Sequence, residues 1–438
     1  MAQPVGQGPN WAAGRRSSQP VRSQEPTDLG RRHRPDYWLV ILCLMMLVIG
    51  LIVVYAISPA LAEASHSSQS HYVVKQLTAI GLSMVAFVVM AKFPVTRIRG
   101  LYKPLLVVAA LATLVALVTP VDPNYPAHRW VRLGSLSFQS VEVLKFAILI
   151  AAAGFLAERA RDHLLSDWRA TIKPLLIAVG ILGVVVAGPS GLHGQSDLGS
   201  TAVILAMLTT MAFVAGMPMK RLMIGLAVLA IGVILVVAPS EYRRARVTAF
   251  LHPDAGCQQA SGYQACQALI AVGSGGIAGL GLGRSVQAYG YLPEAANDSI
   301  FAIYAEKFGF IGTTVLLAIL AAFFSRIKNI AERAPDMFTR LLVVGVLAWL
   351  SIQACINIGA MIGLLPLKGI TLPFISYGGT SVVFVAAAVG LVFQVSSYTS
   401  LRVARNNPNE QRKQGGSNDH SRDWRRQRGT YNPHLSGR

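Results

Sequence analysis

The sequence YWLVILCLMMLVIGLIVVYAI of Tyr37–Ile57 contains no charged side chain. A helix needs about 20 consecutive, mainly apolar residues to cross the hydrocarbon core of a bilayer, so this stretch predicts a transmembrane helix. Nine further stretches have the same character: Val73–Phe93, Pro104–Pro120, Val141–Ala157, Pro174–Ser190, Leu198–Gly216, Leu222–Ala238, Ile300–Phe324, Leu341–Leu364 and Gly379–Tyr398. The sequence therefore predicts an all-α polytopic membrane protein with ten transmembrane helices.

The composition agrees with a membrane protein. Of the 438 residues, 53% are apolar and only 13% are charged, whereas a soluble domain carries about 25% charged residues. Lys and Arg number 39 against 20 Asp and Glu, an excess that raises nucleic-acid binding as an alternative. The basic residues, however, concentrate in the two tails and in short segments between spans. That pattern marks cytoplasmic loops, so we favour a topological origin for the charge.

Two polar tails flank a predicted membrane domain of residues 37–400. Residues 1–36 and 401–438 are basic and lack an apolar core, so we expect both to be disordered and expect no cleavable signal peptide. An even number of spans places both basic tails in the cytoplasm, as the loop charges require.

One long extracytoplasmic loop, residues 239–299, joins spans seven and eight. It far exceeds an ordinary connection, and its apolar stretches suggest that part of it is re-entrant or interfacial. Its glycine cluster could cradle a phosphate, but the strand–turn–helix context of such cradles is missing. Flexibility or close helix approach is the favoured interpretation. The cluster comprises Gly273, Gly275, Gly276, Gly279, Gly281 and Gly283.

Several ionisable residues stand at or inside the outer ends of spans. Glu142, Asp197 and Glu306 are of this kind, and such residues are functional candidates because membrane burial of charge is costly. Lys145 follows Glu142 by three residues and lies on the same helical face. The pair could fix helix packing or act directly on a substrate, and the sequence favours neither.

Two acidic residues, Glu294 and Asp298, flank the start of the eighth span. Asp298 could cap that helix, or it could serve as a general base in a partly desolvated cleft. In the same loop, Cys257 and Cys266 lie in an oxidising compartment. They could form a disulfide or remain two free thiols.

Common cofactor motifs are missing from the sequence. It contains no Walker A motif, no H-E-x-x-H and no paired C-x-x-C, which argues against nucleotide-binding and zinc enzymes. We predict no resident cofactor, and a divalent cation such as Mg²⁺ remains open.

Long motifs in a fixed order nevertheless match a known family. They are His128–Gly134, Phe138–Lys145, Gln195–Gly199, Gln267–Gly276, Tyr289–Asp298, Asn357–Pro366 and Lys368–Gly379. The chain resembles the SEDS proteins (shape, elongation, division, sporulation), which are the peptidoglycan glycosyltransferases FtsW, RodA and SpoVE. The motif that begins at Lys368 is most similar to the division and sporulation members, and FtsW above all.

The resemblance implies polymerisation of lipid II, a disaccharide-pentapeptide on undecaprenyl pyrophosphate. Asp298 matches the essential aspartate of the family and would be the base. Arg129, Lys145 and Lys368 would hold the departing pyrophosphate. The other expected substrate-binding residues are Trp130, Glu142, Asp197, Glu294, Glu306, Ser376 and Tyr377. The expected partners are a class B penicillin-binding protein and other division proteins, at the septum of the inner membrane.

The chain departs from the family pattern beside the expected base. Asn297-Asp298-Ser299 replaces the usual Thr-Asp-Phe, and the motifs around Glu142 and Asp197 each lack a proline. The loss of an aromatic residue next to Asp298 would change the burial of its carboxylate. Three alternatives to a division polymerase stay open: a lipid II flippase, a RodA-like elongation polymerase and a non-catalytic scaffold.

Overall fold

The computed structural model describes most of the chain between the two tails. The described residues are 34–66, 68, 70–119, 130–133, 136–187, 197–238, 241–251, 257, 260–367 and 369–398. The predicted C-terminal tail therefore lies outside the described residues, and only residues 34–36 of the predicted N-terminal tail are described.

Within the described residues the chain is built almost entirely from helices. They are α1 (Tyr37–Ser65), α2 (Ser70–Lys92), α3 (Val95–Gly100), α4 (Tyr102–Val118), α5 (Ser140–Arg161), a π-helical turn (Trp168–Ile172), α6 (Lys173–Ala187), α7 (Leu198–Ala215), α8 (Met219–Val237), α9 (Glu241–Leu251), α10 (Ala260–Ser274), α11 (Ile300–Arg333), α12 (Met337–Met361) and α13 (Gly379–Val395).

The predicted multi-pass membrane architecture is confirmed. Seven stretches in the described part of the chain are helical, long and apolar enough to cross a membrane: Tyr37–Glu63, Ser70–Lys92, Ser140–Arg161, Trp168–Val186, Leu198–Ala215, Ile300–Arg333 and Met337–Met361. Helices α4 and α13 are shorter, with 17 residues each, and α8 has 19. Each of the ten predicted spans overlaps one helix. These helices are α1, α2, α4, α5, α6, α7, α8, α11, α12 and α13. The exact count of ten spans stays a prediction.

Local sequence explains where the central helices begin. Helix α12 starts at a capping box in which the Asp336 carboxylate accepts from the Thr339 amide and the Thr339 hydroxyl contacts the Asp336 backbone. This arrangement satisfies amide groups that a first helical turn leaves without partners. Helices α5 and α12 are buried along most of their lengths, and Trp349 of α12 is completely buried. These two helices therefore form the centre of the bundle.

A short hairpin accompanies the predicted helical bundle. Strands β1 (Trp130–Leu133) and β2 (Leu136–Gln139) pair antiparallel, with Val131 opposite Phe138. Residues 136–139 alternate apolar and polar side chains, a period that favours a strand over a helix. The hairpin leads directly into α5. It was not predicted because two strands of four residues give a weak signal beside long apolar spans.

Two helices lie in the described part of the predicted long loop. Helices α9 and α10 lie within residues 239–299, and α10 packs against α11. A Cβ atom on Gly275 or Gly279 would collide with the backbone of α11 at Ala305 or Lys307. The favoured interpretation of the glycine cluster, close helix approach, is therefore confirmed at these two positions.

Helix α11 is interrupted where this loop meets it. Gly309 has φ 62° and ψ −161°, a combination that only glycine adopts readily. The backbone groups released by the break pair with the loop instead. The four hydrogen bonds are Leu280 N to Glu306 O (2.9 Å), Gly281 N to Lys307 O (3.0 Å), Phe310 N to Gly276 O (2.9 Å) and Ile311 N to Ile277 O (3.1 Å). The loop is thereby joined to the bundle through main-chain atoms.

Candidate functional site

Asp298 is half-buried at the point where the loop enters α11. The N-cap position of α11 is Ser299, so Asp298 lies one residue before the cap and the capping alternative is not favoured. Ser299 Oγ donates to Pro293 O (2.9 Å) and accepts from Gln264 Nε2 of α10 (3.1 Å). Asp298 therefore precedes a residue, Ser299, whose side chain is hydrogen-bonded both to Pro293 and to α10.

Glu294 shapes the turn before Asp298. Its backbone lies in the left-handed region at φ 51°, and its carboxylate accepts a hydrogen bond from the side-chain amide of Asn297. Its carbonyl accepts from the amide groups of Asn297 (3.0 Å) and Ser299 (3.1 Å). These contacts place Glu294 in the predicted site as a residue that orders the loop.

The segment between α12 and α13 is hydrogen-bonded to this turn. Ser376 Oγ donates to Asn297 O and accepts from Leu372 N, both at 2.7 Å, and Tyr377 N donates to Ala296 O at 2.8 Å. Two of the predicted site residues thus meet the peptide units immediately before Asp298. The structure brings these positions together although nearly eighty residues separate them along the chain.

The Tyr377 ring faces another tyrosine from the beginning of α2. The ring centroids of Tyr72 and Tyr377 lie 5.5 Å apart. Burial, aided by the electrostatic effect of Tyr72, raises the pKa of Tyr377 to about 12. The phenol is neutral at physiological pH, as an unperturbed tyrosine is too.

Glu142 and Lys145 form the predicted ion pair. Lys145 Nζ lies 2.7 Å from Glu142 Oε1, with both side chains almost fully buried. The ammonium also donates to Gln353 Oε1 (3.2 Å) and lies over the Trp349 ring. These partners favour the packing role over direct contact with a substrate, because most of the donor capacity of Lys145 is already used.

Removing the Lys145 ammonium should strongly destabilise the bundle. Breaking a buried pair leaves an uncompensated charge and costs about 3–5 kcal/mol, so Lys145→Met should unfold much earlier than the unmodified chain in thermal denaturation in detergent. A second change, Glu142→Gln, should restore part of the loss. Lys328→Met is the control, since Lys328 lies 3.8 Å from Glu332 on an exposed face and such pairs contribute little. Equal effects of the two lysine substitutions would contradict the buried-pair interpretation.

Asp197 and Glu306 have structural partners of their own. Asp197 is the N-cap of α7, where its carboxylate accepts from the Ser200 amide and hydroxyl, each at 2.9 Å. The fully buried Glu306 accepts from Ser285 Oγ and from the amide groups of Val286 (2.8 Å) and Gln287 (3.1 Å). Both carboxylates therefore order the chain next to them, and their contact with substrate remains a prediction.

Of the remaining predicted site residues, the structure describes only the backbone of Trp130. Arg129 and Lys368 lie outside the described residues, and Trp130 begins β1 opposite Gln139. Within the described ranges, no group of three or more His, Cys, Asp or Glu side chains could hold a metal ion.

A disulfide joins Cys257 to Cys266 in the loop, with the two Cα atoms 5.5 Å apart. The bond ties the chain before α10 to the middle of that helix, two residues after Gln264. Mass spectrometry of alkylated protein prepared without reductant should find both cysteines protected, and reduction should cost at most about 2–3 kcal/mol of stability. Cys355, a free cysteine of α12, should be alkylated in the same sample once the protein is unfolded. Complete alkylation of Cys257 and Cys266 would rule out the bond.

Sequence reasoning missed two residues that contact these elements. Asn357 Nδ2 donates to Asp298 O (2.7 Å) and to Ile370 O (2.6 Å), and Gln353 Nε2 donates to Thr371 O (2.9 Å). Both amides are polar side chains inside an apolar span, four residues apart and hence on one helical face. That spacing was the signal that could have found them, since polar groups inside a membrane span are functional candidates.

Comparison with known proteins gives a consistent family. The model of the cell cycle protein family FtsW/RodA/SpoVE matches residues 37–401. A probable peptidoglycan glycosyltransferase FtsW of Coxiella burnetii is 35% identical, over 83% of this chain and 96% of its own. Stage V sporulation protein E of Bacillus subtilis is 35% identical, over 84% of this chain and 99% of its own.

Solved structures agree. A chain from a peptidoglycan synthase complex is similar with a TM-score of 0.65 and 27% identity, covering 83% of this chain and 97% of that one. The Thermus thermophilus rod shape determining protein RodA gives a TM-score of 0.59 and 26% identity, covering 83% of this chain and 96% of its own. This chain therefore belongs to the FtsW/RodA/SpoVE family of cell cycle proteins.

Proposed function

We propose that this chain is a peptidoglycan glycosyltransferase that polymerises lipid II into glycan strands during cell division, with Asp298 as its general base. The observation that carries the proposal is the placement of Asp298 in a family motif. There Asp298 is half-buried, and the turn before it is hydrogen-bonded to the segment between α12 and α13. A base on a rigid turn can meet an acceptor hydroxyl in a fixed geometry.

The proposed reaction is a glycosyl transfer between two lipid-linked sugars. The Asp298 carboxylate takes the proton of an acceptor hydroxyl while the hydroxyl oxygen bonds to the anomeric carbon of the donor. The bond from that carbon to undecaprenyl pyrophosphate breaks, and the pyrophosphate leaves with the electron pair. Cations must stabilise this developing charge. We assign that role to Arg129 and Lys368, while the bonded state of Lys145 favours support of the site.

The proposed setting follows from the family. A solved relative comes from a peptidoglycan synthase complex that coordinates polymerisation and crosslinking, so we propose a class B penicillin-binding protein as the partner, together with other division proteins. The similarity to FtsW relatives favours the septum. The loop charges favour cytoplasmic termini.

Reconstitution tests the activity directly. The purified chain, combined with its cognate class B penicillin-binding protein and lipid II in detergent, should produce glycan strands that resolve as a ladder on a gel. Transport of lipid II across vesicle membranes without any ladder would instead support a flippase. Depletion in cells should give filaments, as expected for a division enzyme, and rounded cells would indicate a RodA-like role in elongation.

A further inference from the structure

Two buried amide side chains of α12 link the ion pair of α5 to the backbone around Asp298. Gln353 is completely buried and Asn357 is 1% exposed. They are four residues apart, so their side chains project from the same face of the helix. One amide contacts Lys145 and the other contacts the Asp298 carbonyl.

Gln353 uses both ends of its amide group. Its Oε1 accepts from Lys145 Nζ (3.2 Å) and from Trp349 Nε1 (2.8 Å). Its Nε2 donates to Thr371 O (2.9 Å) and approaches Thr371 Oγ1 at 3.4 Å. Because it can make at most four such contacts, Gln353 has a single well-defined orientation. It therefore fixes residue 371 relative to α5 and α12.

Asn357 performs the same task one helical turn later. Its Nδ2 donates to two main-chain carbonyls, those of Asp298 (2.7 Å) and Ile370 (2.6 Å). A single amide thus sets the distance between the entrance to α11 and the segment that follows α12. A carbonyl that loses its donor away from water is strongly destabilised, so these two contacts favour one arrangement.

We propose that Gln353 and Asn357 are positioning residues of the polymerisation site, which hold the Asp298 backbone against residues 370–371. The proposal rests on the proposed function only for its effect on catalysis. The hydrogen bonds from Gln353 and Asn357 to the backbone of residues 298, 370 and 371, which we call the tether, are a structural property. A misplacement of about 1 Å can lower a rate about 100-fold. The two amides therefore act through Asp298 and need not touch the substrate.

Three substitutions in the full-length chain test the tether. Asn357→Leu and Gln353→Leu remove the donors at similar side-chain volume, and Gln353→Glu keeps an acceptor for Lys145 but cannot donate to Thr371 O. With each variant and the partner protein, we expect kcat for lipid II polymerisation to fall about 10- to 100-fold while KM changes less than about twofold. Gln394→Leu is the matched control, a buried glutamine near the end of α13, and should leave both values unchanged.

Hydrogen exchange supplies a readout that does not depend on activity. In Asn357→Leu, amide exchange should quicken in peptides covering 293–299 and 369–378 and stay unchanged in α1, α2 and α7. If this variant does not fold, Asn357→Ala removes the same donors without added bulk. A full kcat in the variants, or unchanged exchange in both segments, would overturn the proposal, and so would faster exchange throughout the bundle. Without polymerisation by the unmodified chain the proposed function fails, yet the exchange experiment still decides whether the tether exists.

Discussion

Asp298→Asn should lower the rate of lipid II polymerisation by about 100- to 10,000-fold, the range that general base catalysis contributes. The substitution removes the proton acceptor and keeps the shape of the side chain. It also keeps the main-chain carbonyl that accepts from Asn357 Nδ2 at 2.7 Å, so the turn should stay in place. The loss should therefore appear in kcat, measured from the growth of the glycan ladder at saturating lipid II.

A matched variant separates the role of the base from a general effect of charge. Glu63 is an exposed carboxylate near the end of α1, and Glu63→Gln should polymerise at the normal rate. Both variants should melt at the temperature of the unmodified chain in detergent. A folded Asp298→Asn variant that polymerises at full rate would remove Asp298 from the mechanism and leave the family assignment intact.

Gly309→Ala should strongly destabilise the fold. The backbone at Gly309 has φ 62° and ψ −161°, where a side chain is strongly disfavoured. An added Cβ would also lie 2.7 Å from Ile277 O and close to the Gly279 amide. Strain and collision together should cost more than about 3 kcal/mol, enough to abolish recovery of a monodisperse protein.

Size-exclusion chromatography of the detergent extract and thermal denaturation measure this effect. Gly81→Ala is the control, because Gly81 lies inside α2 and a Cβ there would meet open space. That variant should match or slightly exceed the stability of the unmodified chain, since alanine is the better helix former. Normal yield and melting temperature for Gly309→Ala would show that the helix break and its hydrogen bonds to the loop do not exist as described.

Much of the fold could be predicted because the bilayer imposes a simple rule. Backbone groups in hydrocarbon must bond internally, so long apolar stretches become helices. A helix is present at each of the ten predicted stretches. The hairpin at Trp130–Gln139 and the helices inside the loop were not predicted, because short or mildly apolar elements lack such a constraint. The break at Gly309 was hidden in the same way, since its pairing partners come from the preceding loop.

The site was predicted in part. Glu142 and Lys145 are three residues apart on one helix, so their contact follows from local geometry. Ser376 and Tyr377 entered the prediction through the motif alone, and their hydrogen bonds to Asn297 and Ala296 required the fold. Arg129 and Lys368, which lie outside the described residues, remain predictions as pyrophosphate ligands.

The sequence by itself determined the membrane architecture, the basic segments between spans and the family, because apolar length, charge and motif order are properties of the chain alone. Only the tertiary structure decided which polar groups meet. Asn357 bridges Asp298 and Ile370, and Gln353 connects Lys145 to Thr371. These contacts depend on how separate helices pack, because the packing decides which donors and acceptors come within hydrogen-bonding distance. The order of residues along the chain does not by itself predict these contacts.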